Sequence, residues 1–387
     1  MSHPEVVIIG GGPSGLSAAI ELHKRGVSRV TVLEREPQAG GIPRHTAHAG
    51  YGMRDLRRIT TGPRYAASLV RAAEKEGVDL RTGVTVTSID RLPDGLKADA
   101  VVLATGVRER PRSARLVPGD RPAGIYTTGS LQQFVTLHHQ SVGRRAVVVG
   151  AEHVSFSAVL TLAHAGCQVA AITTPHAQHQ TYAALAFATA GRRRIPVRTG
   201  VDVAEIVGRT RVEAVVLTDG SRIECDTVVF TGDWVPDHEL ARTAGLAMLP
   251  VATSPVIDAS MHTSQRGVFA IGNLVHPAET ADICALDGRH VATAVLDWLT
   301  LGTWPEQITP IEVEAPVAWA SFDARGIAVR VSEIVTGQLR LTHAGEVQWI
   351  STEREWLPNR SITIPTTEMK ASRFPYAGPR LRIDLIR

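Results

Sequence analysis

The chain has 387 residues, is 44% hydrophobic and 20% charged, and carries a formal net charge of +3. That length suits two domains and a third small one, and the charge is too small for nucleic acid or an anionic membrane to be the main partner. Its three cysteines, Cys167, Cys225 and Cys284, contain no C-x-x-C pair, which excludes a local redox dithiol and the usual zinc or iron–sulfur spacings.

Isolated thiols fit buried positions and a reducing, cytoplasmic setting. The first apolar run is too short for a signal peptide, and no stretch of about 18 uncharged apolar residues offers a membrane span.

The opening, EVVIIGGGPSGLSAAIELHKRGVSRVTVLERE, predicts strand, glycine turn, helix, strand and acid in succession. Residues 6–9 read as a buried parallel strand. Gly10, Gly12 and Gly15 complete G-x-G-x-x-G, and residues 30–33 form a second strand ending at Glu34. Gly10 permits the tight turn. Gly12 lets the backbone approach a pyrophosphate, and Gly15 lets helix and strand pack closely. Pro13 and Ser14 open the helix, whose N-terminus faces phosphate charge. Glu34 is placed to accept the ribose hydroxyls of an adenosine.

Further along, residues 145–150 predict the strand of a second nucleotide-binding unit, residues 156–165 its helix and residues 168–173 its next strand. Here the second glycine position holds Glu152 and the third holds Ser155. A Cβ at the second position keeps backbone from phosphate, and a carboxylate adds repulsion of roughly 1 kcal/mol in water and more when shielded from it. The segment Thr173-Thr174-Pro175-His176 supplies neither an acid for an NAD ribose nor an early arginine for an NADP phosphate. The expectation is a retained fold without NAD(P)H binding. The competing reading is a nonstandard site in which Arg192, Arg193 and Arg194 hold the phosphate.

After residue 301, GTWPEQITP is a turn-rich linker. Short strands are expected at 326–331, 338–342, 347–351, 361–364 and 381–386, forming a small β-rich module. Trp319, Trp349 and Trp356 are read as its core, with a partner surface around EREWLPNRS as the alternative.

Several stretches resemble one family: GGIPRHTAHAGYGMRDL (40–56), ATGVRERPRSARLVPGDRPAGIYTTGSLQ (104–132), VVGAEHVSFSAVLTL (148–162) and GNLVHPAETADICALDGR (272–289). They are similar to the FAD-dependent pyridine nucleotide-disulfide oxidoreductases, and within them to the α subunits of hetero-oligomeric amine and amino-acid dehydrogenases. That group includes opine oxidase, D-hydroxyproline and L-proline dehydrogenases, hydrogen cyanide synthase and the related part of sarcosine oxidase.

The resemblance implies an α/β chain with two Rossmann-like domains and a β-rich C-terminal module. The FAD domain (1–112 and 256–302) is interrupted by an NAD(P)-like domain (113–255), and the module follows (303–387). It implies FAD as cofactor, NAD(P) being unexpected, with a second adenine nucleotide as a candidate ligand of the degenerate domain. FAD would be held by Gly10, Gly12, Pro13, Ser14, Gly15, Glu34, Arg35, Gly41, Arg44, Val84, Ala104, Thr105, Gly106, Gly272, Asn273, Glu279, Thr280 and Ala281. Asn273 stands where the superfamily has an acid on the ribityl chain; an amide can still bond a hydroxyl.

No cysteine follows Cys284, so an iron–sulfur cluster bound by this chain alone is not expected. The implied partners are a small iron–sulfur protein and a β subunit of amine-oxidase type. The resemblance implies that residues after Gly41 pass near the flavin's redox edge, which makes Arg44, His45 and His48 the candidate catalytic side chains. The alternatives are a self-contained FAD oxidase or dehydrogenase, a noncatalytic nucleotide-binding scaffold, and an NAD(P)H-dependent flavin reductase.

Overall fold

The computed structural model describes residues 4–365 and 380–386. They form two compact units. One comprises Met1–Arg44, Ala49–Val107 and Val235–Arg387; the other comprises His45–His48 and Arg108–Trp234.

The first unit is built on a five-stranded parallel sheet in the order Val268–Ala270, Ala100–Leu103, Glu5–Ile9, Arg29–Glu34, Asp79–Thr82. Every residue of Glu5–Ile9 is buried, as a central strand covered on both faces requires. The helix Pro13–Lys24 begins with proline at its first position, where the missing N–H costs nothing. The helix Ala281–Leu301 crosses it at very short range: a Cβ on Gly288 would lie 2.1 Å from the Ser14 carbonyl oxygen.

The boundary between units falls at Trp234 and Val235 rather than at 255/256. Packing explains the shift, since Ala241, Leu246 and Ile257 join the apolar core under the first sheet.

The C-terminal strands were largely legible. Gly326–Val331 and Leu381–Ile386 match their expected limits, and Val335–His343, Glu346–Ile350 and Ile362–Pro365 lie within a few residues of theirs. They form two antiparallel groups, one pairing Val317–Asp323, Gly326–Val331 and Ile362–Pro365, the other centred on Val335–His343. Phe322, Ile327, Val329, Leu339 and Ile364 are continuous with the core of the parallel sheet, so this region is not a separate compact unit.

Its tryptophans serve packing. Trp356 is buried, donates Nε1–H to the Gly337 carbonyl at 2.9 Å and carries Arg354 over its ring at 3.8 Å. Trp319 lies under Arg330, and Trp349 packs partly buried on the core.

The second unit repeats the plan. Its parallel sheet runs Val197–Thr199, Gln168–Thr174, Arg145–Val149, Thr227–Phe230, Ile125–Thr127, with the helix His153–His164 following the central strand. A three-stranded antiparallel sheet, Val203–Val207, Ala214–Leu217 and Arg222–Glu224, completes it.

Candidate functional site

In the first unit the three glycines of the turn carry different constraints. Gly10 has φ 113°, and a Cβ there would meet the Ala104 oxygen at 2.3 Å. A Cβ on Gly15 would sit 1.9 Å from the Gly10 oxygen. Gly12 is different: the nearest atom to its would-be Cβ is the Gly41 Cα at 4.0 Å. No protein atom requires glycine there, so the open space suits a bound group that brings its own atoms against the backbone.

Around this hollow the chain is tightly tied. Glu34 accepts the N–H of Gly11 and of Glu36, both at 2.8 Å, and Gly40 donates to the Gly11 oxygen at 2.7 Å. Ser14 is buried, and a Cβ on Gly272 would lie 2.7 Å from its Oγ. An open cradle at a helix N-terminus, with a carboxylate at the end of the second strand, fits a dinucleotide.

Other expected FAD contacts have local partners. Arg35 pairs with Asp237 at 2.9 Å, and Thr105 donates its hydroxyl to the Asp237 carbonyl at 2.7 Å. The N–H groups of Val84 and Ala104 are spent on the oxygens of Glu34 and Ile9. Gly106 has φ 79° and accepts from the Asp237 N–H.

The region after Gly41 departs from expectation. Arg44 turns back on its own loop, donating to the Gln38 carbonyl at 2.5 Å and to Glu36 at 3.2 Å, while its Nε is buried without a partner. It clamps the 36–38 loop rather than reaching out for a substrate carboxylate. His45 is buried and His48 bonds Ser157 Oγ at 2.6 Å, both as part of the second unit. Gln132 links the segment further, donating to Ser157 and accepting from Thr46, each at 3.0 Å. This network gives His48 a positioning partner that sequence spacing did not reveal.

The 273–282 segment also departs. The Asn273 amide closes its own loop, donating to the Glu279 carbonyl at 3.0 Å and accepting the Glu279 N–H at 2.7 Å. Glu279 points toward the β-rich region, pairing with Arg330 at 2.5 Å and Arg325 at 3.4 Å and accepting from the Ser361 hydroxyl. Burial pushes its carboxyl up, but the two guanidinium groups outweigh burial and hold it below the ordinary value.

Thr280 is the N-cap of Ala281–Leu301 and donates its hydroxyl to Asp282. Asp282 accepts the Ile283 N–H at 3.1 Å and is tied to Arg54. It thus complements the helix dipole.

Two buried side-chain pairs in this unit are set by tertiary packing. Tyr65 is fully buried and donates to Asp55 at 2.7 Å; burial raises the pKa of both. Tyr65 shares the buried face of the helix Gly62–Glu76 with Leu69 and Ala73. His276 bonds Asp287 at 2.5 Å, both wholly buried. Burial opposes charge on His276, yet Asp287, Glu279 and Asp323 hold its pKa above the ordinary value.

The second unit's turn is filled from within. Gly150 has φ 122°, in the same region as Gly10 at 113°. Glu152 is the N-cap residue of His153–His164: its backbone carbonyl accepts the Ser155 N–H at 3.1 Å, and its own N–H donates to Ser155 Oγ at 3.1 Å. Ser155 Oγ also bonds Thr231 Oγ1 at 2.7 Å. A Cβ on Gly150 would lie 2.8 Å from Glu152 Oε2, and one on Gly232 3.0 Å from Oε1. Both glycines make room for this carboxylate.

Burial raises the Glu152 pKa, and raises that of its neighbour Glu109 to about 7. Arg192–Arg194 do not serve this turn. Arg193 and Arg194 line a cleft with Arg145 and Gln168, the first residues of their strands, whereas Gly150 follows the strand's last residue.

A parallel sheet, an open glycine turn and a filled copy of that turn define a flavoprotein-type α/β oxidoreductase. The chain belongs to the pyridine nucleotide-disulphide oxidoreductase family, whose pattern matches residues 4–294, and it is an FAD-dependent oxidoreductase.

Over 324 residues it is 26% identical to the alpha subunit of sarcosine oxidase from Corynebacterium sp. strain P-1, covering 76% of this chain and 33% of that one. It is 26% identical over 356 residues to an opine oxidase subunit from Agrobacterium tumefaciens strain Ach5, covering 80% and 68%. It is also 28% identical over 292 residues to the ferredoxin–NAD(+) reductase component of the biphenyl dioxygenase system of Paraburkholderia xenovorans strain LB400, covering 70% and 67%. The chain thus spans about a third of the length of the sarcosine oxidase relative. Among the described residues no helix is long and apolar enough to cross a membrane, and no group of three or more His, Cys, Asp or Glu could hold a metal ion.

Proposed function

We propose that the chain is the FAD-carrying subunit of a hetero-oligomeric amine or amino-acid dehydrogenase or oxidase. A partner of amine-oxidase type binds the donor, a small iron–sulfur protein takes the electrons onward, and NAD(P)H has no part. The observation that carries this reading is the buried Glu152, which occupies the second turn where a nicotinamide dinucleotide would place its diphosphate. The names of the sarcosine and opine oxidase relatives, each one subunit of its enzyme, support a hetero-oligomer.

Bound FAD supplies a two-electron acceptor. The backbone of Gly10–Gly15 and Gly41 would hold its diphosphate over the helix N-terminus, and Glu34 its adenosine ribose. The buried Nε of Arg44 is the donor this loop keeps for the cofactor. The N-terminus of Ala281–Leu301 brings partial positive charge that would favour an anion formed on reduction.

The relative named as a ferredoxin–NAD(+) reductase favours a second reading, an NAD(P)H-dependent reductase. Anaerobic absorption spectra of the purified chain, before and after excess NADH or NADPH, separate the two. Neither nucleotide is expected to bleach the flavin, and an amine-oxidase-type chain is expected to copurify. Rapid bleaching would replace the first reading with the second.

A further inference from the structure

We propose that the second unit binds a small phosphomonoester in a cleft at the end of its sheet opposite the glycine turn. The cleft holds about 360 Å³ and is lined by Arg145, Arg193, Arg194, Val159, Ala163 and Ile195, with Cys167 among the remaining wall residues. That volume lies within the range of small-molecule sites, from about 300 Å³ upward.

The charge balance points to an anion. Among the described residues none of the three arginines is in an ion pair: Arg145 Nε donates to the Glu224 carbonyl at 2.9 Å and Arg193 Nη1 to the Thr189 carbonyl at 3.0 Å. The nearby carboxylates are engaged elsewhere. Glu224 pairs with Arg222 at 2.8 Å, and Asp226 accepts the backbone N–H groups of Arg144 and Arg145. Cys167 adds no charge at neutral pH, because burial pushes its thiol up to about 11.

Apart from Gln168, the rest of the wall is largely apolar. Val159 and Ala163 sit one helical turn apart on His153–His164, and Ile195 and Pro196 face the same cleft. One guanidinium suffices for a carboxylate. Three arginines lining one cleft suit a dianion with several acceptor oxygens, a phosphate, which arginine bonds bidentately. The apolar wall calls for an organic body on that phosphate.

Titration calorimetry on the full FAD-loaded chain tests this with phenyl phosphate and inorganic phosphate as probes. Phenyl phosphate is expected to bind saturably and at least tenfold more tightly than inorganic phosphate. Arg193→Gln and Arg194→Gln should each weaken it about tenfold or more, and Ala163→Phe, which fills the cleft from an exposed helix position, should abolish it. Arg192→Gln, next in sequence but outside the lining, should leave it within twofold. Flavin absorbance and melting temperature unchanged in all four variants would locate the effect in the cleft. Absence of saturable phenyl phosphate binding, or an equal loss in Arg192→Gln, overturns the proposal.

Discussion

The two turns of this chain can be overlaid residue by residue, because the backbone bonds around them are the same. Gly10 donates to the Leu33 oxygen at 2.9 Å and Gly150 to the Thr173 oxygen at 2.8 Å. Gly40 docks its following loop on the Gly11 oxygen, and Gln180 does the same on the Ala151 oxygen. By this correspondence Thr174 stands where Glu34 stands. What differs is side-chain chemistry: an open Gly12 against a filled Glu152, and the Glu34 carboxylate against a threonine. Backbone hydrogen bonding and apolar packing keep the fold. A few Cβ atoms and carboxylates are what separate the two turns.

Copying the second turn into the first should have the largest effect. Gly12→Glu adds its Cβ where no atom lies closer than 4.0 Å, so the unit is expected to fold with little loss of melting temperature. The carboxylate would then oppose a diphosphate, and FAD affinity should fall about 100-fold or more, equivalent to roughly 3 kcal/mol. The readout is flavin absorbance per chain after gel filtration. A variant that retains FAD at wild-type stoichiometry would remove the functional distinction between the turns.

A smaller effect concerns Glu109, the buried neighbour of Glu152 at the second turn. Glu109 is buried, accepts the Gly129 N–H at 2.8 Å and titrates at about 7 because burial disfavours its charge. Its folded pKa is raised above the unfolded value. The stability it contributes is therefore complete below the unfolded pKa, near 4.5, and is lost as pH rises through about 7. Between pH 5 and pH 7 that loss is about 2 kcal/mol. Glu109→Gln keeps an acceptor for Gly129 but cannot ionise, so denaturant melts of the variant should lack this slope. An unchanged slope would mean that another group dominates the titration.

How far the sequence reached follows from the range of the forces involved. Strand, turn, helix and acid in the first unit were legible because each is a local pattern with a fixed offset. Glu152 was legible as damage for the same reason. Its role as the helix cap, enclosed by Gly150 and Gly232, was not, since Gly232 is far away in sequence. Asn273 and Glu279 were assigned to the cofactor by position, yet one closes its own loop and the other meets Arg330, whose approach depends on antiparallel strand pairing. His48 likewise found Ser157 through long-range packing.

The smallest expected effect belongs to the reverse graft, and it asks how many differences keep the turns apart. Glu152→Gly with Ser155→Gly restores three glycines to the second turn. It removes the Ser155 Oγ that accepts the Glu152 N–H, a loss of about 1 kcal/mol, and also a buried acid whose burial disfavours its charge, so the net change in stability should stay within about 1 kcal/mol. The repaired turn still lacks a ribose reader, because Thr174 Oγ1 bonds the His176 N–H and Pro175 donates nothing. NADH should therefore still fail to bleach the flavin, while Glu152→Gly, Ser155→Gly and Thr174→Glu together should bind NADH measurably by fluorescence titration. Bleaching by the double variant alone would assign the whole difference to one carboxylate; failure of the triple variant would show that the second unit has diverged beyond its turn.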